Sequence, residues 1–268
     1  MEDKKIIYYE DELNDDFAKM NIIPTTIDEN YKYFHKNPLW NICSFLLQNI
    51  FSMPIKCLYS KFKFNHKIIG REKYKECKDK GYFIYANHTQ PFADTFLPSL
   101  SNYPKRNFFI VNPENISMKG LKTLVKMLGA IPVPGNIKAT KIFLNQIKYT
   151  IKKGYSITIY PEAHIWPYYT KIRDFKSVSF KYPVELNAPV YVHTNTYQKT
   201  KKGKCQIVTY IDGPIYTDSS LNKKESQEKL CNEVKQLMIG RSKESNYEKI
   251  IYIKKEVVTN TEVENTNF

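Results

Sequence analysis

The chain has 268 residues, long enough for one sizeable α/β domain with appendages, and its 42% hydrophobic and 14% aromatic content supports a packed core. Five cysteines, at 43, 57, 77, 205 and 231, are odd in number and lack close metal-ligand spacing, which excludes a disulfide framework and predicts a reduced, intracellular protein. A net charge of +14 and a pI near 9.3 point to anionic partners: lipid headgroups, phosphate-bearing cofactors or acidic carrier proteins. Nucleic acid is not expected, because no recognised binding motif is present.

Residues 1–36 are polar and aromatic without periodicity, and their start has no apolar run of signal-peptide type. Residues 37–55 then carry no charge. Within them Asn41, Ser44, Gln48 and Ser52 recur at three- and four-residue spacing, a narrow polar stripe on an otherwise apolar helix that Pro54 is expected to end. A membrane-spanning helix prefers a more uniformly apolar stretch. A helix lying in the membrane interface and a helix packed on the domain both fit. The flanking Lys56, Lys61, Lys63 and Lys67 suit an anionic surface, where each lysine adds about 1 kcal/mol.

From residue 61 the pattern changes. Ile68-Ile69-Gly70 reads as a short strand and turn, Tyr82–Tyr85 as a strand, Asp94–Leu100 as one or two helical turns, and Asn107–Val111 as a strand. Ser117–Leu128 reads as a helix stopped by Gly129, with Lys119, Lys122 and Lys126 on one face and Lys138 and Lys141 beyond. Such a stripe is either a solvated surface or a holder of phosphate. Ile131–Val133 is a short strand, and Asn136 caps a helix over Ile137–Lys152. Ser156–Ile159, Pro189–His193 and Cys205–Ile211 are strands, the last two joined as a hairpin through Lys201–Lys204. Leu221–Met238 is an amphipathic helix, and Thr259–Phe268 is expected to fray. Strands alternating with helices predict an α/β fold: a mixed, largely parallel sheet covered by helices, with an N-terminal apolar helical segment. The expected division is an arm and interfacial segment at 1–60, the α/β domain at 61–240 and a polar tail at 241–268.

Ligands in such sheets bind beyond the carboxyl ends of strands. Two polar clusters stand at such ends: Ala86-Asn87-His88 with Asp94 six positions on, and Tyr160-Pro161-Glu162-Ala163-His164. An imidazole held by a carboxylate takes a proton from a hydroxyl, the carboxylate fixing its tautomer. The same residues also read as helix caps and solvated acids. Trp166 lines an apolar channel or packs. Convergence of His88, Asp94, Glu162, His164 and His193 on a metal for hydrolysis is a competing reading, though no spacing is diagnostic. Lipid binding without chemistry is another.

Ala86-Asn87-His88 through Asp94, Gly129-Ala130-Ile131-Pro132-Val133, Tyr160-Pro161-Glu162 and Ala188-Pro189-Val190-Tyr191-Val192 follow one another like the four blocks of the glycerolipid acyltransferases. Residues 60–215 thus resemble the lysophosphatidate acyltransferase-like proteins, the 1-acylglycerol-3-phosphate acyltransferase family. The resemblance implies transfer of a fatty acyl group from acyl-CoA or acyl carrier protein, as co-substrate and without a cofactor or metal, to a hydroxyl of a lysophospholipid or related acceptor. His88 would be the general base and Asp94 its partner. Asn87, Glu162, His164, Lys171 and Arg173 would form the acceptor site. The protein would work as a peripheral enzyme on the cytoplasmic face of an anionic membrane. Three departures accompany the likeness. Five residues, where the family usually has four, separate His88 from Asp94. The third block reads Glu162-Ala163-His164-Ile165 in place of Glu-Gly-Thr-Arg, and Pro134-Gly135-Asn136 stands where the second block often ends in arginine. Either Lys171 and Arg173 substitute for these arginines from the following loop, or the acceptor lacks a phosphomonoester.

Overall fold

A computed structural model describes residues 4–19, 21–35 and 37–255. In chain order the elements are β1 (Lys5–Tyr9), α1 (Pro38–Leu46), α2 (Ser52–Phe64), β2 (Lys67–Ile69), β3 (Tyr82–Ala86), α3 (Leu97–Asn102), β4 (Asn107–Val111), α4 (Lys122–Met127), β5 (Ala130–Pro132), α5 (Ile137–Lys152), β6 (Ser156–Ile159), α6 (Lys181–Leu186), β7 (Val190–Lys199), β8 (Cys205–Ile215), α7 (Lys223–Ser242) and β9 (Ile250–Lys254). Seven strands form the main sheet in the order β2-β8-β7-β3-β6-β4-β5. Only β7 and β8 pair antiparallel, as the predicted hairpin, so the sheet is mixed and largely parallel as expected.

Strand β3 is central and buried along its whole length. Phe83 and Tyr85 point to the larger core with Phe143 and Ile147 of α5, Phe180, and Leu230 and Val234 of α7. Tyr82 and Ile84 point the other way, toward Cys77, Tyr191 and Ile211. Helix α5 occupies the predicted span: Asn136 accepts from the Ala139 N–H at 2.8 Å, and Ala139, Phe143, Ile147 and Thr150 share its buried face. Chain order and sheet order diverge at β3, whose neighbours are β6 and β7. The carboxyl ends of β3 and β6 therefore lie side by side, with Tyr85 in register with Ile159.

Three elements differ from expectation. Pro54 does not end the apolar helix. A π-helical turn over Leu47–Phe51 joins α1 to α2, and the Ser52 N–H bonds back five residues to the Leu47 carbonyl. The wider turn places Pro54 in the first turn of α2, where its missing N–H and its ring are tolerated. The helix at 117–128 is confined to Lys122–Met127, because Pro113–Ile116 and the Gly120 turn take up the preceding chain. Within the polar tail, Ile250–Lys254 forms β9, parallel to β1, so these two segments make a small sheet of their own. The fraying expected at 259–268 lies outside the described residues.

The middle of the polar stripe, Ser44 and Gln48, faces inward with the neighbouring Asn49, while Asn41 is exposed and bonds the His35 carbonyl. Ser44 Oγ donates to the Met127 carbonyl at 2.7 Å, Gln48 Nε2 donates to the carbonyls of Asn107 at 2.5 Å and Leu128 at 3.0 Å, and Asn49 donates to the Pro104 carbonyl. The apolar side chains Leu39, Ile42, Phe45, Ile50, Ile55, Leu58 and Phe62 face outward and are exposed. The 27-residue helix from Pro38 to Phe64 meets the length and hydropathy needed to cross a membrane. Its side-chain bonds attach it to the domain, and its apolar face is exposed.

Candidate active site

The loop after β3 folds around one carboxylate oxygen. Asp94 Oδ2 lies 2.8 Å from His88 Nδ1 and accepts the backbone N–H groups of Thr89 and Gln90, both at 2.9 Å. The Asp94 N–H returns to the Gln90 carbonyl, which closes the loop. The extra residue between histidine and aspartate is thus absorbed in a tight ring, and the pair meets. Asp94 is buried, and its other oxygen has no partner among the described residues. The ring keeps 17% of its exposure, and Nε2 makes no bond to the described residues. An Nδ1–H tautomer donates to Asp94 and leaves the Nε2 lone pair facing outward.

Tyr160 fixes the ring from the other side. Its ring stacks on the imidazole with centroids 4.2 Å apart and planes 18° apart, and its hydroxyl donates to the Asp94 carbonyl. Its position at the carboxyl end of β6, before Pro161, is the sequence signal for this contact.

Glu162 is buried and both of its oxygens are occupied by main chain. Oε2 accepts the His88 N–H at 2.7 Å and Oε1 accepts the Arg173 N–H at 2.8 Å. Burial raises its pKa above the ordinary carboxylate value, while Arg173 and the two N–H groups pull in the opposite direction. The carboxylate ties the end of β6 to the histidine loop. Ala163 beside it has φ +62°, the left-handed conformation in which the family's third block usually carries glycine.

The other predicted residues are placed as follows. Asn87 is buried and exchanges two bonds with the Asn195 backbone on β7, at 2.8 and 3.0 Å. Arg173 is buried with its guanidinium over the Trp166 ring, donating to the carbonyls of Glu162, His164 and Glu12. His164 Nδ1 lies 3.3 Å from Asp16. Lys171 is exposed on the loop. Trp166 packs: its Nε1 donates to the Asp15 carbonyl, and Tyr9, Phe17, Tyr169 and Tyr252 surround it. Residues 9–17 therefore buttress the third block, a role that their irregular pattern did not announce.

The proposed metal set does not assemble. His193 lies in a separate buried cluster with Tyr74 and Ser101, and no group of three or more His, Cys, Asp or Glu is placed to hold a metal among the described residues.

A buried carboxylate holding an imidazole at the switch point of a largely parallel sheet suits proton transfer from a hydroxyl. The family model for acyltransferases matches residues 65–219, which carry all four blocks and the His88–Asp94 pair. The chain belongs to the acyltransferase family. Among solved structures, the fold of this acyltransferase is similar to that of the 1-acyl-sn-glycerophosphate (LPA) acyltransferase PlsC from Thermotoga maritima. The TM-score is 0.52 at 19% identity, covering 76% of this chain and 87% of that one. No curated protein sequence matches the acyltransferase.

Proposed function

We propose that this acyltransferase moves a fatty acyl group from a thioester, acyl-CoA or acyl carrier protein, to a hydroxyl of a lysophospholipid or related acceptor. The carrying observation is the 2.8 Å contact of His88 Nδ1 with the buried Asp94, which leaves Nε2 of the partly exposed ring without a bond to the described residues. His88 Nε2 takes the acceptor hydroxyl proton as the oxygen attacks the thioester carbonyl. The tetrahedral intermediate then expels the thiolate, which recovers the proton from the imidazolium. Asp94 holds the tautomer and stabilises the imidazolium charge. Glu162, with both oxygens on main chain, acts here as a positioning residue for the His88 loop. Asn87 and Arg173 have the same positioning character. Lys171 and His164 remain as polar groups on the loop for an acceptor.

The enzyme would sit peripherally on the cytoplasmic face of a membrane. The outward apolar row of α1 and α2 continues to the histidine loop, where exposed Phe92 packs edge-on against Tyr59 at 5.3 Å. Seating this row in the interface buries several Ile, Leu and Phe side chains, each worth about 1.5–3 kcal/mol on full burial. It also brings the mouth at His88 to the depth where a lysolipid hydroxyl lies. The +14 charge adds attraction to anionic headgroups.

The test is release of free thiol from a long-chain acyl-CoA or acyl carrier protein, measured with and without a panel of lysolipids and polyols. Acceptor-dependent release that vanishes in a folded His88→Ala protein supports the assignment; undiminished turnover in that variant rules it out.

A further inference from the structure

At the other end of the sheet from His88, a cavity of about 530 Å³ opens beside the starts of β4 and β6. Arg106, Lys126, Lys153 and Lys32 line it, together with the aromatic rings of Tyr31 and Trp40, and no Asp or Glu is among its lining residues. Arg106 is only 8% exposed. Its Nε donates to Gln48 Oε1 at 2.7 Å and its Nη2 to Ser44 Oγ at 2.8 Å, both neutral groups, and it makes no ion pair among the described residues. The faces of Phe108 and Tyr155 lie 5.2 and 5.3 Å from the guanidinium carbon. Lys126 Nζ sits 4.3 Å from the Tyr31 centroid and Lys153 Nζ 5.7 Å from that of Tyr149. Burying a guanidinium without a counter-charge costs several kcal/mol, and gathering further cations around the same space adds repulsion. Burial, with Lys126 and Lys32 nearby, lowers the pKa of His35, which stacks on Trp40 at the cavity wall.

We infer that this cavity is a second anion site, distinct from the His88 centre, which takes a phosphate group between Arg106, Lys126 and Lys153. A planar guanidinium fork already oriented by Gln48 and Ser44, with two ammonium groups on flexible stems, matches a tetrahedral oxyanion that accepts several N–H bonds. The aromatic walls hold the cations in place through their faces. Lys126 belongs to the basic stripe visible in the sequence, which the acyl-transfer site leaves unused. Trp40 and Asn41 of α1 line the cavity while Leu39 and Ile42 of the same helix face outward. A phosphate on the headgroup of an anionic phospholipid therefore reaches the site from the surface on which α1 is proposed to rest. This choice of source rests on the membrane-docked reading; the phosphate site does not.

The test uses the full chain in two arms. In the first, thermal unfolding in inorganic phosphate is compared with chloride at equal ionic strength. Wild type should rise by about 2–4 °C near tenfold saturation. The pair Lys126→Gln with Lys153→Gln should lose the rise while unfolding normally in chloride, and the pair Lys201→Gln with Lys202→Gln, on the remote hairpin turn, should keep it. Arg106→Gln is a further variant; should it fail to fold, the lysine pair decides. In the second arm, flotation compares phosphatidylcholine vesicles with vesicles doped with phosphatidate. A preference for phosphatidate lost only in the Lys126 and Lys153 pair identifies a lipid headgroup; a phosphate rise without that preference identifies free phosphate. Failure to float with any vesicle defeats the membrane-docked reading and leaves the first arm to decide the site. A wild-type melting point indifferent to phosphate, or an equal rise in the Lys126 and Lys153 pair, overturns the proposal.

Discussion

Glu162 Oε2 accepts the backbone N–H of His88 at 2.7 Å, so the carboxylate at the end of β6 sets the position of the loop that follows β3. The pair joins two strands that are neighbours in the sheet and 74 residues apart in the chain. Replacing Glu162 with Ala leaves the part-buried N–H of His88 and the buried N–H of Arg173 without acceptors. Loss of about 1–3 kcal/mol for each unsatisfied group is expected, read as a lower denaturant midpoint with an unchanged m value. Glu162→Gln keeps one acceptor oxygen and should lose less.

Removing His88 as alanine should lower kcat by about 10²–10⁴-fold with the fold intact by circular dichroism. Asp94→Asn should also lower kcat, because an amide nitrogen turned toward Nδ1 favours the wrong tautomer. A kcat in either variant within a factor of about two of wild type, far inside the range for a general base, would falsify the assigned roles.

The outward row is separable from folding. Changing Ile42, Phe45, Leu58 and Phe62 to Gln should leave the melting temperature within a few degrees of wild type, since these side chains are exposed. Vesicle flotation should fall steeply, as apolar burial supplies the interfacial attraction. A large fall in melting temperature with unchanged flotation would mean that the row packs on protein.

Ala163 occupies the left-handed region at φ +62°, where an L residue with a Cβ costs roughly 1–2 kcal/mol. Ala163→Gly removes that strain and adds chain entropy to the unfolded state, so a net gain of about 0.5–1 kcal/mol is expected in chemical denaturation.

Two histidines give the stability a definite pH dependence. Burial holds His66 down at about 4 and His193 at about 3, with His66 also disfavouring the charge on His193 and Asp212 favouring it. Both folded-state values lie below the unfolded 6.5, so the unfolded chain binds more protons as pH falls through 6.5. Stability should therefore drop on acidification from pH 6.5 to 5, by about 3 kcal/mol for the two together, and level off above pH 7. Replacing both with Asn should flatten this slope in equilibrium unfolding measured across that range.

Local chemistry made much of this protein legible. Ile137–Lys152 announced itself through an Asn cap and a regular apolar face, and Ser156–Ile159 through a short apolar run, because these signals act over a few neighbouring residues. The four ordered blocks singled out His88, Asp94 and Glu162 through their resemblance to the glycerolipid acyltransferases, a likeness carried by short local patterns. Pairing between distant segments has no such local mark. Strand β9 was missed because its partner is β1, almost the whole chain away, and the bonds of Glu162 to two remote N–H groups have no mark in its own neighbourhood.

The order of residues was enough for the α/β class, for a histidine and an aspartate sharing one loop, and for a helix with a polar stripe and an apolar remainder. Which side of that helix meets the protein depended on contacts with distant segments. Ser44 and Gln48 turned inward because the main-chain carbonyls of Asn107, Met127 and Leu128, and the largely buried guanidinium of Arg106, need hydrogen-bond partners there. That requirement leaves the apolar residues outside, and it arises from groups more than fifty residues away, which no pattern within the helix can report.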